Sequence, residues 1–456
     1  MFLRFIFMSE QGSSAPYPQK ESLSTWRIVG ICSSMFGFQI VYSAIFALAD
    51  PIMNSLKLSE ESSLLAWSCG PLAGFLVQPI IGYYSDRCKS SWGKRRPFIL
   101  FGCSLTWAGL IFLLILKEYG MNLARILKGF YLIVILFITF SSTNIYQAAS
   151  RALIGDIVPT NQLDRANSIA SIIISIASVF PNYIGGIGYF LNSITYATKV
   201  NSITIISSVS LTIISVLITL FCAKEVPNKV DFAESNPFLE IYRAFRKIPK
   251  ELIGISFVLF LSWISYFPFC IKITSFFENE VFPPSEKAKG LCFGMLTLGT
   301  SYVFVLIYGF IHDFIVAKIG LKNTFSFSLI LESLCLSSVL FISDRWGLLL
   351  SLAPMGICFF VMNSVPFAIL AKVIPESEMG IYIGVLNCFI VIGQQISNVV
   401  VIYYGMKYYK QIVPELTISK IRASLGLSAS VAIFASIICL FTDFPKGKSE
   451  IEHECL

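Results

Sequence analysis

Residues 69–99 read CGPLAGFLVQPIIGYYSDRCKSSWGKRRPFI. An apolar segment runs into Gly82 and Tyr83, passes Ser85-Asp86-Arg87, and a second apolar segment opens at Pro97. Arg87, Lys89, Lys94, Arg95 and Arg96 crowd the connection. Lysines and arginines in short loops resist translocation, so a basic cluster between two hydrophobic spans belongs on the cytoplasmic side. The stretch therefore reads as a membrane hairpin whose turn lies in the cytoplasm.

Composition extends that reading to the whole chain. Of 456 residues 55% are hydrophobic and only 13% charged, with a mean hydropathy of +0.74. A water-soluble surface needs more charge, so the solvent for most of this surface is lipid. The net charge of +7 does not signal nucleic acid, because the basic residues sit in loops beside apolar runs. The twelve cysteines are scattered without a CxxC pair and read as small buried hydrophobes. With His312 and His453 the only histidines, neither a metal site nor any cofactor is expected. Phe2–Met8 is apolar but too short for a signal h-region, and Met8 competes with Met1 as the start.

A crossing needs about 20 apolar residues, and twelve such runs can be marked: 27–49, 64–84, 97–116, 127–150, 166–190, 201–222, 252–272, 290–311, 324–342, 347–370, 381–404 and 424–441. The one long connection, 223–251, divides them into an N-terminal bundle (27–222) and a C-terminal bundle (252–441), with tails at 1–26 and 442–456. Inside it, Asn236-Pro237 predicts an N-cap and first helical turn, followed by an amphipathic segment. Phe238, Leu239, Ile241, Tyr242 and Phe245 share one face, against Glu240, Arg243, Arg246 and Lys247. That pattern fits either an interfacial or a solvated helix. With both termini inside, 21 of the 34 Lys+Arg fall in the cytoplasm and 13 outside; the reverse topology would export the two most basic loops.

The two halves are related. Gly82-x3-Asp86-x6-Gly93-x-Arg95 recurs at identical spacing as Gly309-x3-Asp313-x6-Gly320-x-Lys322, each copy joining the second and third span of its half. A weaker echo links RALIGDIVP, ending at Pro159, to FAILAKVIP, ending at Pro375. Two related six-helix halves are the plan of the major facilitator superfamily, whose substrate site lies near the midplane. In the repeated loop the glycines are expected to let helices approach closely. The aspartates are expected to pair with a basic residue or with helix-end amides, making a latch that holds one access state. A merely solvated turn is the plainer alternative.

The opening stretch resembles the signature of the sucrose and α-glucoside transporters, the plant sucrose carriers and their fungal α-glucoside relatives: CGP-x-x-G-x-x-VQP-x-x-GYYSDRC followed by a basic RRPF, with Lys94 in place of one arginine. QAASRALIGDIVP (147–159), WISYFPF (263–269), SVPFA (364–368) and GVLNCFIVIGQ (384–394) extend the likeness along most of the chain. The resemblance implies an all-α, twelve-span carrier of α-glucosides such as sucrose, maltose or trehalose, acting by alternating access. It would be monomeric, with no nucleic-acid partner, in the plasma membrane.

A sugar site needs hydrogen-bond partners for hydroxyls and aromatic faces for the ring, and in membrane helices Asn and Gln also serve as helix glue. Asn144, Gln147 and Arg151 share a face of the fourth span; Gln39 and Tyr42 share one of the first; Asn387 and Gln394 share one of the eleventh. Trp263, Tyr266 and Asn363 complete the candidate set. For Arg151, snorkelling toward the headgroups is the alternative; the family arginine falls at this position. Arg87, Arg96 and Asp156 join the latch candidates around Asp86, Arg95 and Asp313.

The departures from the family pattern concern protons. The family's fourth-span aspartate falls on Phe140. Its seventh-span D-T-D becomes Ile273-Thr274-Ser275, and its next arginine becomes Asn279 while Glu280 is kept. No carboxylate is expected inside spans 1, 4, 7 or 10, and Glu332 in the ninth is the one mid-span acid and so a candidate coupling residue. Proton symport, which the family implies, and facilitated diffusion both remain open. Carriage of another small solute is the alternative on the same fold. A membrane-embedded transferase would need more than His312-Asp313, and twelve spans in two related halves argue against a receptor or channel.

Overall fold

The computed structural model describes residues 22–159, 162–191, 193–225, 236–374, 379–405, 407 and 419–444. Among them eleven helices are long and apolar enough to cross a bilayer, and one of these, 58 residues long, is two crossings in series. Its axis breaks at Gly320, whose backbone is non-helical (φ 78°). Twelve crossings result: α1 (Thr25–Ser55), α2 (Glu60–Asp86), α3 (Arg96–Tyr119), α4 (Arg125–Ile157), α5 (Leu163–Phe190), α6 (Val200–Cys222), α7 (Lys250–Phe276), α8 (287–319), α9 (321–341), α10 (Arg345–Leu352 and Met355–Val373), α11 (Met379–Ile396) and α12 (Lys420–Phe441). In a bilayer core every backbone group must be satisfied within its own segment, so an all-helical chain is the expected solution.

Local chemistry sets many boundaries. Ser59 Oγ accepts from Ser62 N at 3.2 Å to start α2, and Asp344 Oδ2 accepts from Gly347 N at 2.7 Å to start α10. Lipid supplies no hydrophobic drive between helices, so packing relies on small residues and short polar links. Gly102 and Gly109 of α3 show this. A Cβ on Gly102 would lie 2.8–2.9 Å from the α4 backbone, and one on Gly109 2.1 Å from Thr139 Oγ1. Thr106 Oγ1 and Ser142 Oγ, 2.9 Å apart, tie the same two helices.

Packing divides the chain into two compact units, Met1–Glu234 with Cys270–Leu306, and Ser235–Phe269 with Ile307–Leu456. This division departs from the sequence halves at one place. The last part of α7 and the first part of α8 pack with the first unit, where a Cβ on Gly186 would meet Leu296 at 3.0 Å and one on Gly299 would meet Tyr183 at 2.7 Å. In the second unit the loop helix Pro237–Arg246 is capped by Asn236 Oδ1, which accepts from the Phe238 and Leu239 amides at 3.0 and 3.3 Å. It is anchored by Phe245 stacking on Phe389 of α11, with ring centroids 5.5 Å apart.

The first span runs six residues beyond the sequence estimate of 49, and this corrects the expectation that span 1 carries no acid. Asp50-Pro51 looks like a helix stop, but the helix continues through Pro51 to Ser55. Asp50 is thereby buried, 1% exposed.

Candidate functional site

In the first unit the polar stripe of α4 faces α1 and α2. Gln78 of α2 donates from Nε2 to Asn144 Oδ1 at 2.8 Å and to Gln147 Oε1 at 3.2 Å, while Asn144 Nδ2 donates to Phe140 O at 2.8 Å. The Tyr42 hydroxyl faces Asn144 and the Arg151 guanidinium. Arg151 itself is exposed; it lies 5.9 Å from the Phe38 ring centroid, with no acidic partner among the described residues. Its exposed cation, two amides and a phenol form a donor-rich patch suited to hydroxyl oxygens. Gln39 is more committed: its amide donates to Ser178 Oγ of α5 at 2.9 Å.

Phe140, at the family's acid position, is 2% exposed. Its ring lies between Tyr42, 6.3 Å away between centroids, and Gly70 of α2, where a Cβ would come within 3.3 Å of it. It fills the volume between three helices. From Tyr42 an aromatic ladder climbs α1 and crosses to α2: Tyr42 stacks on Phe46 at 6.4 Å, and Phe46 on Trp67 at 6.0 Å with planes 6° apart.

At the top of the ladder stands a buried ion pair that the sequence reading missed. Lys272 Nζ of α7 sits 2.6 Å from Asp50 Oδ1, the lysine 7% and the aspartate 1% exposed. The Trp67 indole N–H reaches the same oxygen at 3.5 Å, a weak contact. Asp50 Oδ2 is buried without a hydrogen bond. One turn on, Asn54 Nδ2 donates to Ser275 Oγ at 3.0 Å. Tyr42, Phe46, Asp50 and Asn54 recur every four residues, so continuing the Tyr42 stripe past residue 49 is the signal that finds Asp50. Gln78 carries its signal in the quoted VQP.

In the second unit, Trp263 and Tyr266 of α7 pack with Phe359 of α10 at 6.5 and 5.4 Å between centroids. Tyr266 is buried, while the Trp263 indole nitrogen is buried without a partner. Asn363 is exposed and donates to Phe359 O at 2.8 Å; Asn387 and Gln394 on α11 are half-buried. Ser265 of α7 donates to Glu332 Oε1 at 2.5 Å, leaving Oε2 unpartnered in a residue 1% exposed. Glu332 therefore ties α9 to α7.

The basic loop folds as a cluster. Arg95 Nε donates to Asp156 Oδ2 at 2.7 Å and its Nη atoms reach Asp86 and Ser85; Lys94 Nζ pairs with Asp156 Oδ1 at 2.9 Å. Burial works against the Arg95 charge, but Asp156 and Asp86 more than offset it and raise the guanidinium further. Glu225 accepts from the Arg95 and Arg96 amides at 3.0 and 2.9 Å, capping α3, and burial pushes its carboxyl up. Arg87 stacks on Tyr83 at 3.5 Å, and Arg96 donates to Leu220 O at 2.8 Å.

The repeat is visible in the backbone. Gly93 (φ 106°) and Gly320 (φ 78°), at equivalent places, are the two glycines with positive φ among the described residues, a conformation that favours glycine. The first glycine of each copy departs from expectation. A Cβ on Gly82 would meet nothing within 4 Å, so close helix approach is not its role; one on Gly309 would meet only the Phe360 ring, at 3.2 Å. The aspartates differ too: Asp313 is exposed, with no basic partner among the described residues.

Twelve crossings, a repeated loop and polar side chains set inside apolar helices define a multi-pass membrane carrier. The profile of the Major Facilitator Superfamily matches residues 28–311, and the chain belongs to that family. It is 27% identical over 430 residues to sucrose transport protein SUT5 of Oryza sativa subsp. indica, covering 81% of this chain and 80% of the relative. It is 24% identical to sucrose transport protein SUC4 of Arabidopsis thaliana, covering 84% of each, and 29% identical to the general alpha-glucoside permease of Schizosaccharomyces pombe over 59% of this chain and 52% of that one. Among solved structures, the nucleoside transporter NupG superposes with a TM-score of 0.65 at 14% identity, covering 93% of this chain and 100% of NupG. A bacterial homologue of the iron transporter ferroportin gives 0.64 at 14%, covering 92% and 99%. Identities this low show the shared fold alone.

Proposed function

We propose that the protein carries α-glucosides of the sucrose, maltose and trehalose class across a plasma membrane by facilitated diffusion, as a monomer with both termini cytoplasmic. The observation that carries the substrate class is the Gln78–Asn144–Gln147 cluster beside Tyr42 and the acid-free Arg151. Such a set suits many neutral hydroxyls, and the sucrose and α-glucoside carriers among the relatives point the same way. Trp263, with its unpartnered indole N–H, and Asn363, Asn387 and Gln394 are the second unit's proposed sugar contacts. Facilitated diffusion is favoured because Phe140 and Ile273-Thr274-Ser275 stand where the family carries acids and because Glu332 is engaged by Ser265. A radiolabelled-sugar uptake panel in proteoliposomes, with and without a pH gradient, tests both parts. Uptake of none of the three sugars overturns the substrate class.

Two further outcomes are expected. Gln147→Ala should weaken sugar affinity about 5- to 150-fold, since losing one buried hydrogen-bond partner costs roughly 1–3 kcal/mol. Direct binding to folded mutant protein checks this, and wild-type affinity would leave Gln147 as helix glue. For topology, a membrane-impermeant thiol reagent applied outside sealed cells should label a cysteine placed at Pro284 and miss one at Ser235, which lies outside the described residues. External labelling at Ser235 would reverse the orientation.

A further inference from the structure

Asp50 and Lys272 occupy the same end of α1 and α7, the first helix of each sequence half. Alternating access in such a carrier moves one half against the other, so the outer ends of these two helices separate in one access state and meet in the other. The structure shows them met, closed by a 2.6 Å ion pair with both side chains out of water. We propose that Asp50 and Lys272 form an ion-pair gate at the outer face, at which an external proton competes with closure and so inhibits uptake instead of driving it. The inference rests on the carrier reading and the orientation given above.

The competition follows from the cost of burying charge. A buried pair is tolerated when both partners are charged and in contact, and removing one leaves an uncompensated charge. With α1 and α7 apart, the Asp50 carboxylate meets external water, where no buried partner is needed to hold its charge. A proton bound there leaves Lys272 without a counter-charge when the helices meet, so closure waits until it is lost to the outside. The other groups acting on the pair are the Trp67 indole from α2, Glu278 just after α7, whose charge reaches Asp50, and Lys287 at the start of α8, which offsets Glu278. The ladder Tyr42–Phe46–Trp67 connects the gate to the polar patch around Asn144.

The test uses intact cells expressing the full chain, with initial uptake of the transported α-glucoside measured at external pH 3.5 and 7.5. Wild-type uptake should fall about threefold at pH 3.5, where most ordinary carboxylates carry a proton. Asp50→Asn should lower uptake at least tenfold at both pH values, because Lys272 is then buried alone. Lys272→Gln should invert the pH response, because its Asp50 needs a proton before it can be buried. The double variant D50N/K272Q should regain most of the pH 7.5 rate and lose the pH response, since removing both partners of a buried pair is far cheaper than removing one. A second readout needs no substrate. In a background lacking native cysteines, Ser275→Cys, buried in this state, should be labelled from outside faster in D50N than in its parent, and at the parental rate in the double variant. Unchanged labelling and an unchanged pH response in D50N overturn the gate. Expected labelling without α-glucoside uptake by the wild type overturns the substrate reading alone.

Discussion

Arg95→Gln is expected to lower the maximal transport rate by at least about tenfold while leaving sugar affinity within about twofold. Arg95 is buried and holds Asp86, Asp156 and Ser85 together, binding the end of α2 to the end of α4 at the start of α3. Breaking a fully buried pair costs about 3–5 kcal/mol. Here the aspartate side chains are 43% and 25% exposed, so solvent screening brings the expected loss down to about 1.5–3 kcal/mol. A loss confined to one access state changes the balance between states, hence the rate. The hydrogen bonds of Arg95 go to Asp156, Ser85 and Asp86 and not to the Asn144–Gln147 patch, so binding is spared. Asp86→Asn should act in the same direction and more weakly, because Lys94 and Arg95 keep Asp156. Asp313→Asn should act least, since among the described residues the second copy has no ion pair at its aspartate. Initial rates and half-saturation in vesicles of matched protein content check the series. A wild-type rate for folded Arg95→Gln would return the loop to a solvated turn.

The asymmetry between the two copies shows where sequence reading succeeds and fails. The spans, their number and the repeat were legible because each is a local pattern: about 20 apolar residues, or a glycine at fixed distance from an aspartate. Gly93 and Gly320 share a positive φ because the repeat encodes a backbone turn. What surrounds each turn is not local. Arg95 finds Asp156 61 residues away, whereas Asp313 has no basic partner among the described residues. Gly82 looked like a packing glycine from its spacing, yet open space faces it.

The ion pair at Asp50 was hidden for a different reason. Hydropathy ends a span at the first strong polar residue, and Asp50-Pro51 supplies both a charge and a helix breaker. A buried charge escapes that criterion when its counter-charge arrives from 222 residues away. Lys272 is likewise the last residue of the seventh span as marked in the sequence, 252–272, a place where a terminal cation draws no notice. Two lone opposite charges at matching ends of the first and seventh spans were nonetheless visible in the chain. Their burial required the packing of 270–306 into the first unit.

The second large effect concerns energy coupling. In proteoliposomes with an inward proton gradient of one pH unit, the sugar inside should rise to the outside concentration and stop. A carrier moving one proton with each sugar would instead approach about tenfold accumulation, because one pH unit is worth 1.36 kcal/mol. The expectation follows from Phe140. Its phenyl ring cannot titrate, and it is wedged between Tyr42 and Gly70 at 2% exposure, leaving no room for a protonatable group or its water. Phe140→Asp is therefore expected to lose stability before it gains coupling, since it puts an unpaired acid into a space shaped for a ring. For that reason the unmutated protein gives the sharper measurement. Accumulation above the outside concentration, abolished by a protonophore, would overturn facilitated diffusion. The search would then turn to Glu332, whose second carboxylate oxygen is buried and unpartnered: Glu332→Gln should abolish accumulation while sparing sugar exchange at equal pH.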